Sequence, residues 1–351
     1  MKKFFTWLMT MLGLTTACSG QNFENTDVTG FEALATAPDV TLLDVRSEGE
    51  YAEGHIDGAL NIDVNASDFV DCAMAMLPRG TTVAVYCRSG RRSATAAALL
   101  ADRGYRVVNL SGGILAWIEA GRPTTTDAHE RDVFVTPGGK TLRFYALMHA
   151  SVRINIDGRE LYVDPVKQLG GRTVDYSQLP DADYILVTHE HGDHYDPEVI
   201  AALSIDDTRL VTNRRCADMI GKGEVMANGD TLRIADDILV EAVPAYNTTE
   251  GHLRFHPRGR DNGYIINIDG LRIYVAGDTE DIPEMGSLGN IDIALLPCNQ
   301  PYTMTPEQLL NAARMVKPRV LFPYHYGQTD VSGIAASLAA DSIDVHIRHY
   351  E

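Results

Sequence analysis

The chain has 351 residues, with 30 Lys and Arg against 48 Asp and Glu and a formal net charge of −18. At about 100–200 residues per domain this predicts about two or three domains, and 45% hydrophobic with 22% charged residues excludes a wholly disordered or collagen-like chain. So acidic a balance offers no general basic field for a polyanion, which excludes nucleic acid as an expected partner, and five cysteines without paired short spacings give neither a disulfide framework nor a zinc ribbon.

At the start, Lys2 and Lys3 precede an apolar run from Phe4 to Leu14. That run is too short to cross a bilayer of about 30 Å as a helix and reads as a secretory signal over residues 1–17. It leads into Leu14-Thr15-Thr16-Ala17-Cys18-Ser19-Gly20, which resembles a bacterial lipobox. The resemblance implies an exported lipoprotein facing the periplasm, with Cys18 as its lipidated N-terminus. No later apolar run approaches eighteen residues, so the expected membrane contact is through acyl chains alone.

From Val40 short β-rich runs alternate with helical ones: TLLDV, SEGEYAEG, ALNID, a helix near Ser67–Met76, TVAVYC, an Ala-rich stretch from Arg92, RVVNL and ILAWIEA. Such alternation predicts α/β architecture, a parallel sheet with crossover helices. The strand Thr81–Tyr86 delivers Cys87 into Cys-Arg-Ser-Gly-Arg-Arg-Ser93, after which a helix begins. A cysteine at a strand end, facing backbone N–H groups and a helix N-terminus, favours thiolate over thiol. Arg88, Arg91 and Arg92 are expected to strengthen that field. A thiolate so placed can take a sulfane sulfur and hold it as a persulfide cradled by backbone donors.

Together with Asp44-Val45-Arg46, Glu53-Gly54-His55-Ile56-Asp57-Gly58-Ala59 and Gly112-Gly113-Ile-Leu-Ala-Trp117, this loop resembles a single-domain rhodanese over residues 28–122. The related dual-specificity phosphatases use Cys-x5-Arg to encircle phosphate; here four residues separate Cys87 from Arg92, a tighter ring that in the family suits sulfur. The resemblance implies that Cys87 carries the persulfide, that Arg88, Ser89, Gly90, Arg91 and Arg92 form its anion pocket, and that Asp44 and Arg46 brace the loop.

The stretch from Gly121 to Asp132 lacks apolar periodicity and places a linker at residues 123–132. Beyond it, longer strands are joined by tight turns, with helices expected near Pro306–Val316 and Val331–Ala340. Ile154-Asn-Ile-Asp-Gly158 is echoed by Ile266-Asn-Ile-Asp-Gly270, both Asp-Gly hairpins. The echo is either a chance likeness of hairpins or the mark of a duplicated αββα fold.

An apolar strand, Tyr184–Thr188, ends in His189-Glu-His-Gly-Asp-His194. Two imidazoles at alternate positions, His189 and His191, can converge on one cation, while Asp193 and His194 turn toward a second. Asp278, after the strand Leu271–Ala276, and His325, after Val320–Phe322, stand in equivalent places. Pro301-Tyr302-Thr303-Met304, between a strand and a helix, is expected to line a substrate cleft. With Met148-His149-Ala-Ser-Val-Arg-Ile and Asp164-Pro165, these features resemble the metallo-β-lactamase fold over residues 133–351, in the branch of ascorbate-6-phosphate lactonases and N-acylphosphatidylethanolamine-hydrolysing phospholipase D.

By that resemblance His189 and His191 belong to a first metal site, Asp193, His194 and His325 to a second, and Asp278 bridges both. The family's third first-site histidine should follow Ala242-Val-Pro-Ala-Tyr246, where this chain has Asn247. Asn offers only a weak neutral oxygen, so either the site is depleted or His252 or His256 joins it from the next loop. His149 and Asp164 are candidates for ligation or, as expected of His149, for supporting a ligand.

The expected protein is an exported two-domain enzyme, a rhodanese-like sulfurtransferase joined to a metal-dependent hydrolase in which Asp193 orients the attacking water. It needs one or two divalent ions, zinc first, manganese or iron as alternatives. Its partners are a small-molecule substrate and a sulfur donor and acceptor. The competing readings are a one-iron persulfide dioxygenase and a lipoprotein that binds metal or persulfide without turnover.

Overall fold

The computed structural model describes residues 22–37, 40–78, 80–126 and 131–350, so the signal and Cys18 lie outside the described residues, as does part of the linker. Among the described residues no helix is long and apolar enough to cross a membrane. The chain divides into two compact units, Met1–Val133 and Phe134–Glu351.

In the first unit the strands are β1 (Glu24–Thr26), β2 (Val40–Asp44), β3 (Leu60–Asn61), β4 (Thr82–Tyr86) and β5 (Arg106–Leu110), in the order β1-β5-β4-β2-β3, and all their pairings are parallel. Its helices are α1 (Val28–Ala35), α2 (Glu48–Ala52), α3 (Phe69–Met76), α4 (Arg91–Ala101) and α5 (Gly113–Glu119). Successive strand residues serve opposite faces. Leu43, Val83 and Val85 pack with Phe69, Ala96 and Leu100, whereas Leu42, Ala84 and Tyr86 pack with Phe31, Ile114 and Trp117. A parallel sheet covered by helices on both faces explains the unbroken apolar runs. The short β1 and α1 lie outside the alternation visible from Val40 onward.

The second unit, with the start of the strand that leads into it, holds two seven-stranded sheets. The first runs β14 (Glu224–Val225), β13 (Ser204–Thr212), β12 (Ala182–Val187), β9 (Arg159–Val163), β8 (Ser151–Ile156), β7 (Thr141–Met148), β6 (Arg131–Val135). The second runs β15 (Thr231–Ala235), β16 (Ile238–Ala245), β17 (Asp261–Ile268), β18 (Leu271–Val275), β19 (Ile293–Pro297), β20 (Val320–Tyr324), β21 (Asp344–Val345), and a small β10 (Gln168–Leu169) and β11 (Arg172–Thr173) ribbon stands apart. Val152, Ile154, Val163 and Leu186 of one sheet share a core with Ile266, Ile273, Leu295 and Phe322 of the other.

The outer face of the first sheet is covered by α6 (Pro197–Leu203) and α7 (Arg214–Ile220), and that of the second by α8 (Pro306–Val316) and α9 (Ile334–Leu338). This is an αββα sandwich. In α8 Thr305 and Gln308 form a capping box and Pro306 takes the first turn. Its buried Leu309, Ala312, Ala313 and Val316 form the face turned to the sheet, and burying Leu309 alone stabilises by roughly 1.5–3 kcal/mol. Asp157-Gly158 joins β8 to β9 and Asp269-Gly270 joins β17 to β18; all four residues have positive φ, as a type I′ turn requires. One hairpin thus lies in each sheet.

Candidate functional site

Cys87 follows β4 and is 1% exposed. Gly90, at φ 89°, caps α4 and turns the loop back, and a Cβ there would stand 3.1 Å from both Leu110 O and Gly112 N. The rear of the loop is held by α5, where Ile114 N–H donates to Cys87 O at 2.8 Å and Leu115 N–H to Arg88 O at 3.2 Å. Burial opposes ionisation of the thiol. It is outweighed by the Ser93 hydroxyl, 3.4 Å from Sγ, and by the N–H groups of Ser93, Ser89 and Gly90, so the Cys87 pKa is lowered.

Arg92 makes a two-pronged pair with Glu50 at 2.7 and 2.6 Å, and Arg88 and Arg91 are exposed, so the sulfur is served by oriented N–H and O–H groups more than by guanidinium charge. Arg46 clamps Asp44 and reaches Gly54 O at 2.8 Å, which fixes the neighbouring end of β2.

In the second unit eight donors converge as two groups, in each of which the ligating atoms lie within 4.8 Å of one another: His189, His191, His256 and Asp278, and His149, Asp193, His194 and His325. His149 follows β7, the His189–His194 loop follows β12, Asp278 follows β18 and His325 follows β20, while His256 comes from the loop between β16 and β17. His149, Asp164 and His325 have φ of 53°, 48° and 48°, a left-handed backbone uncommon outside glycine, and all three stand at the centre. His149 N–H donates to Tyr350 O and His325 N–H to His149 O, which holds these turns together.

Asp278 lies between the groups. Its Oδ2 is 3.2 Å from His256 Nε2 and 3.3 Å from His325 Nε2, and its Oδ1 is 3.1 Å from His194 Nε2. Outer partners orient the rings: Asp164 Oδ2 stands 2.8 Å from His194 Nδ1, Thr188 Oγ1 3.0 Å from His189 Nδ1, and Asp261 Oδ2 3.1 Å from His256 Nδ1. Each leaves Nε2 for the centre, the arrangement that metal-binding imidazoles adopt.

Burial pushes His189 well below the usual histidine range. His325, although buried, is raised to about 9 by the negative charge of Asp278 and Asp193 beside it. Burial works against Asp278 too, yet the surrounding His194, His325 and His256 keep it well below the ordinary carboxylate range. His194 Nε2, His325 Nε2 and Asp278 Oδ1 are buried without a hydrogen-bond partner among the described residues; the His194 Nε2 to Asp278 Oδ1 approach is within ion-pair distance but lacks hydrogen-bond geometry. Such atoms, with imidazole and carboxylate donors in fours, fit divalent cations, and binding one displaces any proton a donor carries.

The expected residues are redistributed in four respects. His256 occupies the first group, and Asn247 lies outside both. His149, expected to support a ligand, stands among the donors of the second group with its Nε2 3.3 Å from Asp193 Oδ2. Asp164 is outside both groups and accepts from Thr188 N–H and Oγ1–H as well as facing His194. His252 faces Glu280 instead of the donors. Of Pro301 to Met304, Tyr302 is exposed while Thr303 and Met304 are buried. Asp261 and Thr188, which face His256 and His189, carry no sequence signal beyond the place of Thr188 directly before His189.

Residues 143–325 match the family described as the beta-lactamase superfamily domain, and residues 27–120 match the rhodanese-like domain. A UPF0173 metal-dependent hydrolase of Thermococcus kodakarensis is 31% identical over 191 residues, 51% of this chain and 82% of that protein. A crystal structure of a candidate metal-dependent hydrolase from Parabacteroides distasonis is 49% identical, covers 64% of this chain and all (100%) of its own, and superposes with a TM-score of 0.62. A metallo hydrolase from Ignicoccus hospitalis, 23% identical with a TM-score of 0.50 over 59% of this chain and 94% of its own, shares the fold. With its two four-donor groups set at the ends of strands from both sheets, and a rhodanese-like domain before them, the chain belongs to the beta-lactamase superfamily.

Proposed function

We propose that this protein is a metal-dependent hydrolase whose reaction takes place between the two donor groups, joined to a sulfurtransferase that carries sulfur on Cys87. The observation that carries the hydrolase reading is Asp278, a buried carboxylate placed against imidazoles of both groups. Two divalent cations there would supply an acidic water as nucleophile and a Lewis acid for the scissile oxygen. His189, His191 and His256 would hold one ion, His149, Asp193, His194 and His325 the other, and Asp278 both. Imidazole-rich sets favour zinc, with manganese or iron as alternatives. Asp193, the carboxylate of the centre more open to solvent, orients the attacking water. Two four-donor groups favour this reading over a one-iron dioxygenase, which needs a single site of two histidines and one carboxylate with open positions.

In the other unit the Cys87 thiolate attacks the outer sulfur of a sulfane donor such as thiosulfate. The donor's S–S bond breaks, sulfite leaves with the electron pair, and Cys87 retains a persulfide that a nucleophilic acceptor then takes up. The loop N–H groups and the Ser93 hydroxyl stabilise negative sulfur at each stage. Export as a lipoprotein anchored through Cys18 completes the reading, supported by the order of Lys2, Lys3, the apolar run and Ala17-Cys18. An intact Met1 on protein isolated from cells would overturn it.

Likeness to the ascorbate-6-phosphate lactonase and N-acylphosphatidylethanolamine phospholipase D branch makes lactones and phosphodiesters the first substrates to try. The test is to count metal per chain in purified full-length protein, then assay both classes before chelation, after it and after zinc is returned. The expected result is about two ions per chain by donor count and hydrolysis that disappears and returns with them. Protein that binds two ions and hydrolyses neither class, nor simple carboxylic esters, would overturn the hydrolase reading.

A further inference from the structure

Asn247 is 1% exposed, yet its side chain is not among the donors of either group. Its Nδ2 donates to Tyr302 O at 2.7 Å and to His252 O at 3.3 Å, and its backbone N–H donates to His256 O at 2.8 Å. Its Oδ1 is buried with no hydrogen-bond partner among the described residues, so the side chain is placed for its N–H groups.

A second buried group holds the same strap, residues 247–256, from the other side. Glu280, fully buried, accepts from Thr248 N–H and Thr248 Oγ1–H at 2.8 Å and from Thr249 N–H at 2.7 Å, and it lies 3.2 Å from His252 Nδ1. Its own N–H donates to Tyr246 O, as does the hydroxyl of Thr279. Glu280 follows Asp278 by one intervening residue, so the segment that carries the shared carboxylate also anchors the strap. At the far end His256 is set between Asp261, itself gripped by Arg260 at 2.7 and 2.8 Å, and Asp278.

A polar surface loop such as Thr248 to Arg254 is solvated without help, and burying a carboxylate and an amide beneath it carries a desolvation cost. We propose that Asn247 and Glu280 are positioning residues for His256: together they fix the course of the strap so that its imidazole reaches His189, His191 and Asp278 as the third ring of that group. The proposal rests on reading that group as a metal site.

The test uses full-length protein stripped of metal and titrated with zinc for affinity and stoichiometry and with cobalt for the visible spectrum of its coordination. Melting curves confirm folding. His256→Ala is expected to weaken one of the two ions and spare the other. Asn247→Ala and Glu280→Gln should weaken the same ion by about 10–100-fold, the range for outer partners of metal ligands, and change the same cobalt bands. In a His256→Ala background neither should add further loss, because residues acting through one group are not additive. If Asn247→Ala disturbs the fold, Glu280→Gln preserves side-chain volume and carries the comparison. Wild-type binding of both ions by Glu280→Gln would overturn the proposal, as would additional loss when His256 is already absent. Should His256→Ala itself leave both ions unchanged, the metal reading of that group falls, a result distinct from failure of the positioning variants alone.

Discussion

The cysteine loop and the metal centre are built in opposite ways. The groups that donate to the Cys87 sulfur belong to the run from Cys87 to Ser93, one strand end and one helix start. The eight donors of the second unit come from five loops between His149 and His325. A local site inherits its geometry from a single turn, so its chemistry responds to substitutions within that turn. A distributed site inherits its geometry from the whole sandwich, and its outer partners matter as much as its donors.

The sharpest way to break this comparison is Cys87→Ser. Sulfur transfer from thiosulfate to cyanide should disappear while metal content per chain stays the same; residual transfer at the normal rate, or a sulfane sulfur carried on Cys72, Cys216 or Cys298, would show that the site is not local. In the second unit Asp278→Ala should cost affinity for both ions, by about 100-fold or more, beyond the loss of an outer partner, whereas His149→Ala should weaken only the ion held with His194 and His325. Zinc titrations of the two variants check the contrast, and equal effects on both ions from His149→Ala would contradict the grouping.

Asn247→His sharpens it further. Ligand counting from sequence alone expects a new imidazole to tighten binding, but the structure predicts weaker binding, since the amide that holds Tyr302 O and His252 O would be lost.

A smaller effect is expected at the thiol. Ser93→Ala removes a donor to sulfur and should raise the Cys87 pKa, so the midpoint of the pH profile of alkylation moves up and the rate below it falls. An unchanged midpoint would assign the thiolate to the backbone N–H groups alone. Smallest is Glu50→Gln. Arg92 holds the Glu50 carboxyl at about 2, so the pair's contribution is present above the ordinary Glu range and is lost as pH falls through about 2. At this partly exposed position the substitution should cost up to ~1 kcal/mol at neutral pH, and the difference in urea melts should shrink steadily as pH falls toward about 2.

Where an element carried its own signal, it could be read directly from the chain. The capping box at Thr305 and the spacing of Leu309, Ala313 and Val316 place α8, and the two Asp-Gly pairs place their hairpins, because these features act within a few residues. The expected helix at Val331–Ala340 is instead the short α9 followed by a 3-10 turn at Ala339–Asp341. A run of small residues specifies helix without specifying its ends. In β1 and α1 the partner strand β5 lies far along the chain, and nothing local announces that pairing.

The sequence by itself determined the Cys87 loop, its glycine turn and the dense His189–His194 cluster, since each is contiguous and its chemistry follows from residue type and spacing. Only the tertiary structure decided that His256 enters the first donor group, that His149 joins the second, and that Asn247 serves the strap instead of a metal. The physical reason is reach. Whether an imidazole on a long loop meets a carboxylate that follows another strand depends on how buried groups such as Glu280 and Asp261 fold that loop, and those contacts join residues that no periodicity or spacing connects.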